Sequence, residues 1–259
     1  FCWSVMPALK TPMINAGMVF TDRHSGGINY PKGGVGKIAE KLVSGIEKLG
    51  SKIRFKAHVT EILLKDEKAV GVKLSSGEEI HADIIVSNST RWDTFGLNNN
   101  KKGLIAKDFI PKSEYKWSKT YKPSPSFVSI HLGVAGELID ENFICHHIIV
   151  EDWEELENEK GVIFISIPTL LDSSLAPDGK HIIHAFTPSS MSEWDNLSRD
   201  EYLTKKENYY SFVIGKISKI IPNLDKNIDH KEIGTPRTHK KFLGRFEGSY
   251  GPIPKKKLL

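Results

Sequence analysis

Apolar residues recur at helical spacing over one early stretch of the chain. The spacing predicts an amphipathic helix that begins at Gly36, and Gly50 supplies the glycine that often follows a last helical turn. The apolar positions on one face of this helix are Ile38, Ala39, Leu42, Ile46 and Leu49. The first part of the chain therefore contains one amphipathic helix.

The pattern changes to a period of two after this helix. Residues 52–59 alternate apolar and polar side chains, which predicts a strand. Residues 61–88 divide into three further strands at the turn signals Asp66-Glu67 and Ser76-Gly77. A helix followed by a strand and a β-meander is thus predicted for this part of the chain.

The next part of the chain begins with a segment that has no clear period. Residues 97–125 are rich in Asn and Lys, which predicts an irregular or partly helical connection after a boundary near Phe95. Four short β-branched or alternating segments follow and predict an antiparallel sheet: "SFVSIHLGV", "CHHIIVE", "GVIFISIP" and "HIIHAFTP". Ser198 and Glu201 form an S-x-x-E capping box, which opens a long helical pattern that ends at Pro222.

Composition narrows the class of protein. A chain of 259 residues with 39% hydrophobic and 26% charged residues resembles an ordinary soluble protein of about two domains. The net charge of +4 is too small and too dispersed to indicate a nucleic-acid partner. Two cysteines, Cys2 and Cys145, make no disulfide framework, and the longest mostly apolar run, residues 161–171, is about half of a membrane-spanning helix.

A glycine motif invites a phosphate-binding interpretation. The hexapeptide Gly34-Val35-Gly36-Lys37-Ile38-Ala39 satisfies the G-x-G-x-x-G/A fingerprint and contains a Gly-Lys pair. A Walker loop requires glycine where Pro31 stands and Ser or Thr where Ile38 stands, so that interpretation fails. A Rossmann turn requires a preceding apolar strand, which is missing. A structural turn is preferred to a phosphate cradle.

Other candidate chemistry has simpler explanations. The ten histidines include no H-E-x-x-H motif, and His181 and His184 fall on opposite faces of a predicted strand, which disfavours a metal site. No G-x-S-x-G motif anchors a hydrolase triad. The acidic residues 151–159 predict a solvated helix face, whereas residues 234–254 predict a basic loop of constrained backbone.

Several segments together carry a family resemblance. "YPKGGVGKIAEKL", "GSKIRFKAHVTEILLKDEKAVGVKLSSGEEIHADIIVSNSTRWDTF", "GTPRTHKKFLGR" and "GSYGPIP" resemble the carotenoid isomerases of plants, algae and cyanobacteria. These enzymes belong to the phytoene-desaturase-like flavoprotein superfamily. "STRWDTF", "CHHIIVEDWE" and "FISIPTLLDSSLAPDG" match the isomerase branch in particular. The likeness extends over nearly the whole chain.

The resemblance implies an α/β (mixed α+β) fold: a partial FAD-binding fold of the amine-oxidase type with an antiparallel-sheet substrate domain. Residues 1–30 would end a first excursion into the substrate domain, 31–95 would belong to the FAD domain, 96–250 to the substrate domain, and 251–259 would begin the return. Both ends are expected to be cut, with the two segments that hold the FAD pyrophosphate lying outside the chain. The chain by itself is then expected to be inactive and to bind no FAD.

The resemblance also assigns candidate site residues. For FAD these are the glycines of the turn that opens the helix, the residue whose backbone meets the adenine, and the turn beside the nucleotide: Gly33, Gly34, Gly36, Val59, Ser87 and Asn88. The catalytic candidates lie in motifs that match the branch and carry suitable acid-base chemistry: Glu151, Arg237, His239 and Tyr250. No metal ligand is implied.

The activity implied by the resemblance is conversion of poly-cis lycopene to all-trans lycopene with reduced FAD and no net electron transfer. The implied partners are a carotenoid (lycopene) substrate and a peripheral membrane surface, without nucleic acid. The implied location is a plastid (chloroplast), where the protein would be associated with a membrane, or the cytoplasm or thylakoid surface of a cyanobacterium. The alternatives are a carotenoid desaturase or retinol-saturase-like oxidoreductase with net redox chemistry, and a flavin-free relative that binds prenylated proteins.

Overall fold

A computed structural model describes residues 12–13, 17, 21, 29–97, 102–140 and 142–253. The helices are α1 (Gly36–Lys48), α2 (Arg91–Phe95), α3 (Lys112–Thr120), α4 (Arg199–Ile217) and α5 (Pro236–Leu243). The strands are β1 (Val59–Lys65), β2 (Lys68–Leu74), β3 (Glu79–His81), β4 (Ser126–Ala135), β5 (His146–Val150), β6 (Val162–Ser166), β7 (Lys180–Ser189) and β8 (Ile228–Gly234). Nearly all of the predicted first segment, residues 1–30, and most of 251–259 lie outside the described residues.

Helix α1 forms where the helical spacing predicts it. It ends at Lys48, and Gly50 follows with a φ of +82°, which costs glycine no strain. None of its residues is buried, and Leu42 and Leu49 are 64% and 87% exposed. An amphipathic helix is stabilised mainly by packing of its apolar face. The described residues therefore leave the apolar face of α1 open.

The predicted β-meander is confirmed, but two details of the prediction are wrong: the strand before it and the end of its last strand. Strands β1, β2 and β3 pair antiparallel in that order, and Asp66 and Glu67 make the first turn with positive φ angles. Residues 52–58 form no strand. Strand β1 begins at Val59 and pairs directly with β2. The last strand ends at His81 instead of continuing to Asn88. Beyond His81, the Ala82 N–H still donates to the Val70 carbonyl of β2, and residues 83–88 belong to none of the strands that the structure describes.

A five-stranded antiparallel sheet occupies most of the remaining chain, in the order β5-β6-β7-β4-β8. The four segments predicted as strands form β4 to β7, so the predicted antiparallel sheet is confirmed. Strand β8 was missed because the middle of its sequence, IDHKEIG, is a run of four polar residues without apolar alternation. Such a composition is typical of an exposed edge strand, and β8 pairs with β4 alone.

Helix α4 covers one face of this sheet and builds the core. The predicted capping box is confirmed, since the Ser198 hydroxyl accepts the Glu201 N–H and the Glu201 carboxylate accepts the Ser198 N–H. The helix ends at Ile217, ahead of the predicted stop. The sheet residues buried against it are Val128, Ile130, Leu132, Val134, Ile163, Ile165, Ile183 and Ala185. These side chains are 0–2% exposed, so this face is fully packed.

Two predictions about charged segments are wrong. The acidic residues 151–159 form turns, not a helix, and two of them have partners outside the segment: Glu151 accepts from Lys219 and Glu159 accepts from the Ser189 hydroxyl. The basic segment contains helix α5, not only a loop. Thr235 caps α5 through the Thr238 N–H, and Pro236 occupies the first turn, where its missing N–H is harmless.

Helices long and apolar enough to cross a bilayer are not found within the described residues. The same residues contain no cluster of three His, Cys, Asp or Glu side chains placed to hold a metal ion.

Candidate functional site

The sheet face turned away from α4, called here the open face, carries aromatic and imidazole side chains. Alternation along β4 places Phe127, Ser129 and His131 on it, and alternation along β7 places His184 and Phe186 on it. His131 is exposed, and the Phe127, His184 and Phe186 side chains are half-buried. The open face is therefore accessible in part, around His131, Phe127, His184 and Phe186, whereas Ser129 and Phe164 on the same face are 4% and 2% exposed.

One row of polar residues crosses the whole open face. The register joins one residue from each strand in the order β5 to β8: His146, Ser166, His184, His131 and Glu232. The His146 imidazole lies 2.9 Å from the Ser166 hydroxyl. The rings of His131 and His184 stack with centroids 4.3 Å apart and planes 9° from parallel. His131 and His184 are called the imidazole pair below.

Burial keeps the imidazole pair neutral near neutral pH. Burial, together with the neighbouring His131, lowers the pKa of His184 from 6.5 to about 4. Burial also lowers the pKa of His131, and the carboxylate of Glu232 opposes that effect. Two uncharged imidazoles can stack as flat rings, whereas two imidazolium ions at this separation would repel each other.

A row of apolar residues lies beside the polar row. Ile148, Phe164 and Phe186 are cross-strand neighbours, and the rings of Phe164 and Phe186 stack at 4.7 Å. Phe127 lies 5.6 Å from Phe186 between ring centroids and extends the apolar surface toward α5. The open face thus combines a strip of aromatic surface with a flanking row of polar groups.

Two of the predicted catalytic residues meet on this face. The ring of His239, from α5, lies 4.3 Å from the ring of Phe127, and the Tyr250 ring lies 5.5 Å from it. The Nε2 atom of His239 is buried without a hydrogen-bond partner. Burial lowers the pKa of His239, against the effect of a backbone hydrogen bond to Phe127, and burial raises the pKa of Tyr250. Both groups are neutral and adjacent to the apolar strip.

The other two predicted catalytic residues have contacts to α4 instead. The Glu151 carboxylate pairs with Lys216 of α4 and with Lys219 just after it, and these lysines lower the pKa of Glu151. The Arg237 guanidinium lies 4.8 Å from the ring centroid of Tyr202, also in α4. The structure therefore does not bring Glu151 or Arg237 together with His239 and Tyr250.

A cleft of about 730 Å³ lies between the start of β1 and the end of α5. Two of the predicted cofactor residues, Val59 and Asn88, line this cleft. Its basic lining residues are Lys102, Lys240 and Arg245, and its hydroxyl-bearing residues are Thr60, Ser89 and Thr90. The lysines and the Thr60 and Ser89 hydroxyls suit a ligand with phosphate groups, whereas the Asp93 carboxylate also lines the cleft and accepts the Thr90 hydroxyl.

The remaining predicted cofactor residues lie elsewhere. The Ser87 hydroxyl is 3.3 Å from the Thr94 hydroxyl. The Gly33 N–H donates to the Asp172 carboxylate at 2.6 Å. Gly34 has a φ of +90°, and a Cβ there would lie 3.1 Å from the Leu175 side chain. A Cβ on Gly36 would meet open space. The glycine turn thus packs against residues 172–175 and does not line the cleft.

The imidazole pair and the aromatic strip were missed by sequence reasoning. The available signal was the period of two in the predicted strands: Phe127, Ser129 and His131 alternate with the aliphatic core residues of β4. The same period places His184 and Phe186 together on β7. The pairing of the two strands, which only the fold supplies, sets His131 opposite His184.

Comparisons with known proteins agree with this fold. The sequence profile of the flavin containing amine oxidoreductases matches residues 8–219. The chain is 51% identical to the chloroplastic prolycopene isomerase of Arabidopsis thaliana. The match covers 98% of this chain and 42% of the isomerase. It is 27% identical to the all-trans-retinol 13,14-reductase of Danio rerio over 90% of its length and 42% of that protein. The chain thus spans about two-fifths of the length of these curated relatives.

A solved structure supports the fold alone. An oxidoreductase from Methanosarcina mazei superposes with a TM-score of 0.62 and 17% identity, over 89% of this chain and 50% of that chain. Because the family profile covers most of the sequence and the fold agrees with a solved oxidoreductase, the chain belongs to the family of flavin-containing amine oxidoreductases.

Proposed function

We propose that the chain forms the substrate-binding sheet and part of the FAD domain of a carotenoid isomerase that converts poly-cis lycopene to all-trans lycopene. The observation that carries this proposal is the identity of 51% to a prolycopene isomerase over 98% of the chain. Identity to the retinol reductase is about half as high, at 27%. The isomerase is therefore favoured over relatives whose reactions change the number of hydrogen atoms.

The open face supports a conjugated substrate. A carotene hydrocarbon has no polar group to hydrogen-bond, so its binding depends on apolar and aromatic surface. The half-buried Phe127 and Phe186 rings offer such a surface, and the buried Phe164 ring supports it by stacking on Phe186. His239 and Tyr250 lie against the same strip and are our candidates for groups that hold or move a proton beside the polyene.

The family implies a flavin, and the cleft fits part of FAD. We propose that the Val59 backbone and Asn88 face the adenosine, and that Lys102 and Lys240 face the diphosphate. The Arg245 guanidinium already donates to the carbonyls of Ser249 and Tyr250. Its role is therefore mainly to hold the wall of the cleft in place, not to donate hydrogen bonds to the ligand. Reduced FAD, when bound, would supply the electron density that transiently lowers the order of a C=C bond.

The chain's own residues would orient the polyene and exclude water. We assign residues 31–95 to the FAD domain and 96–250 to the substrate domain, with Gly33, Gly34 and Gly36 at the junction between them. Ser87 remains a candidate contact to the nucleotide. Glu151 and Arg237 remain candidate catalytic residues, although neither contacts the open face. Because the Arabidopsis relative is named chloroplastic, we place the protein in the plastid.

We also propose that the protein works at a membrane surface, where its substrate dissolves. Near the end of helix α5, Phe242 is 74% exposed and directly follows Lys241. Exposed apolar side chains next to lysines are typical of segments that contact anionic bilayers.

A chimera tests the isomerase proposal. Residues 1–259 replace the aligned segment of the Arabidopsis thaliana isomerase, and the purified chimera is incubated without oxygen with poly-cis lycopene and chemically reduced FAD. Chromatography and mass spectrometry should identify all-trans lycopene of unchanged mass. The parent enzyme and a version without the aligned segment are the positive and negative controls.

Two outcomes would overturn the proposal. A product that has lost or gained hydrogen would identify a desaturase or saturase. No conversion by a folded chimera, while the parent is active in the same assay, would show that this chain does not supply the isomerase function.

A further inference from the structure

We propose that Asp172 is a positioning residue that fixes the glycine turn (residues 31–36) to the substrate sheet. Residues 168–175, which follow β6 and precede β7, are called the clamp loop here. This role rests on the proposed function, because it takes the glycine turn as the junction between the flavin and the substrate sheet. It also accounts for the motif that invites a phosphate-binding interpretation: the anion that the turn binds is the Asp172 carboxylate, which comes from another part of the chain.

The glycine turn meets the clamp loop at two adjacent residues. The Gly33 N–H donates to the Asp172 carboxylate at 2.6 Å, between residues that are 139 positions apart in the chain. Gly34 is buried with a φ of +90°, and a Cβ at this position would lie 3.1 Å from the Leu175 side chain. A hydrogen bond to a charged acceptor and a close contact at a glycine therefore join the two segments.

The clamp loop is attached firmly to the sheet. The Thr169 side chain is 4% exposed, and its hydroxyl accepts the Ile182 N–H of β7. Leu170 packs against the core between the sheet and α4. The Asp172 N–H donates to the Pro168 carbonyl at 3.0 Å. The position of Asp172 is therefore set by the substrate sheet.

The Asp172 carboxylate is both oriented and ionised. One of its oxygens accepts the N–H and the hydroxyl of Ser174, and the other accepts the Gly33 N–H. The Ser174 hydroxyl, the Gly33 N–H and the nearby Lys32 lower the pKa of Asp172. The carboxylate is thus charged at neutral pH, and a charged acceptor makes the hydrogen bond from Gly33 stronger than a neutral one would.

Helix α1 depends on this contact for its placement. The helix begins at Gly36, directly after the turn, and none of its residues is buried. A helix without a packed face is positioned mainly by the segments that hold its ends. The clamp loop therefore sets where the glycine turn and the start of α1 lie relative to the open face. It sets in the same way the position of any flavin edge that the turn contacts.

Hydrogen exchange of the full 259-residue chain tests the clamp without a flavin. Asp172→Ala removes the acceptor, whereas Asp172→Asn keeps an acceptor oxygen. The matched control is Asp178→Ala, at an exposed aspartate in the turn before β7. Amide exchange in residues 31–48 should be about tenfold faster or more in Asp172→Ala. Asp172→Asn should restore most of the protection, Asp178→Ala should match the wild type, and β4 and β7 should exchange at the wild-type rate in every variant.

The chimera supplies a second measurement, which a purely structural role would not predict. In the assay with reduced FAD, Asp172→Ala should lower kcat by about tenfold or more, because the flavin and the polyene would no longer be held in register. The KM for poly-cis lycopene should change by less than about twofold, because the open face itself is intact. Asp172→Asn should recover most of the lost kcat.

Three results would overturn the inference. Unchanged exchange of residues 31–48 in Asp172→Ala, or the same acceleration in Asp178→Ala, would show that this contact does not hold the turn. Equally faster exchange of β4 and β7 would indicate a general loss of stability instead of a local clamp. A higher KM at constant kcat would show that Asp172 serves substrate binding and not positioning.

The exchange experiment and the product assay fail independently. A chimera that makes a hydrogen-poor or hydrogen-rich product would defeat the isomerase proposal, while faster exchange confined to residues 31–48 would still establish the clamp. Conversely, unchanged exchange in Asp172→Ala would defeat the clamp and leave the identity of the product untouched.

Discussion

His184 should make the folded chain sensitive to acid, and its substitution by Phe should remove much of that sensitivity. The side chain is half-buried on the open face, against His131 and Phe186. Burial lowers its pKa from 6.5 to about 4. Above pH 6.5 the ring is neutral in both the folded and the unfolded chain and costs nothing. As the pH falls below 6.5 the unfolded chain gains a proton that the folded chain cannot accept, so the free energy of unfolding decreases.

The magnitude follows from the size of the shift. Each pH unit between the two pKa values lowers the free energy of unfolding by about 1.4 kcal/mol, so the whole interval costs about 3 kcal/mol. A phenyl ring fits the same cross-strand position beside Phe186 and does not titrate. His184→Phe should therefore change stability by less than about 1 kcal/mol near neutral pH and stabilise the chain by about 2 kcal/mol near pH 4.5.

Urea unfolding followed by circular dichroism measures both quantities. The wild type, His184→Phe and the control His230→Phe are unfolded at several pH values between about 7.5 and 4.5, and the slope of stability against pH is compared. The control is an exposed histidine of the same face, so its slope should match the wild type. Parallel slopes for wild type and His184→Phe would refute the assignment of a buried, neutral His184.

Four further predictions concern other elements. Gly34→Ala should destabilise the chain by about 1–3 kcal/mol because Gly34 has a positive φ and the Leu175 side chain is close to it. Gly36→Ala, at a position with open space, should be neutral or stabilising, and thermal unfolding compares the two variants. Ser198→Ala should cost about 1 kcal/mol in urea unfolding through loss of the helix cap. Phe242→Ser should reduce sedimentation with vesicles of anionic phospholipid, and Phe55→Ser, at a residue 80% exposed, should not. The purified 259-residue chain should show no flavin absorbance band, and a yellow preparation would contradict this expectation.

The sequence determined the elements whose signals are local. The spacing of Ile38, Leu42 and Ile46 is enough to specify α1, and Ser198 with Glu201 is enough to begin α4. Alternation and turn residues located most strands of both sheets, because a strand with one packed face must repeat its apolar side chains every second residue. The family resemblance indicated a carotenoid isomerase, and the 51% identity to a prolycopene isomerase agrees with it.

The tertiary structure decided which residues meet. Strand β8 has no apolar alternation of its own, and only hydrogen bonding to β4 makes it a strand. The antiparallel register of β4 and β7 places His131 against His184, and the turn after β8 brings His239 onto Phe127. Contacts of this kind join residues far apart in the chain. Local propensity and periodicity carry no information about them, because they depend on how the strands pair and on which face each helix covers.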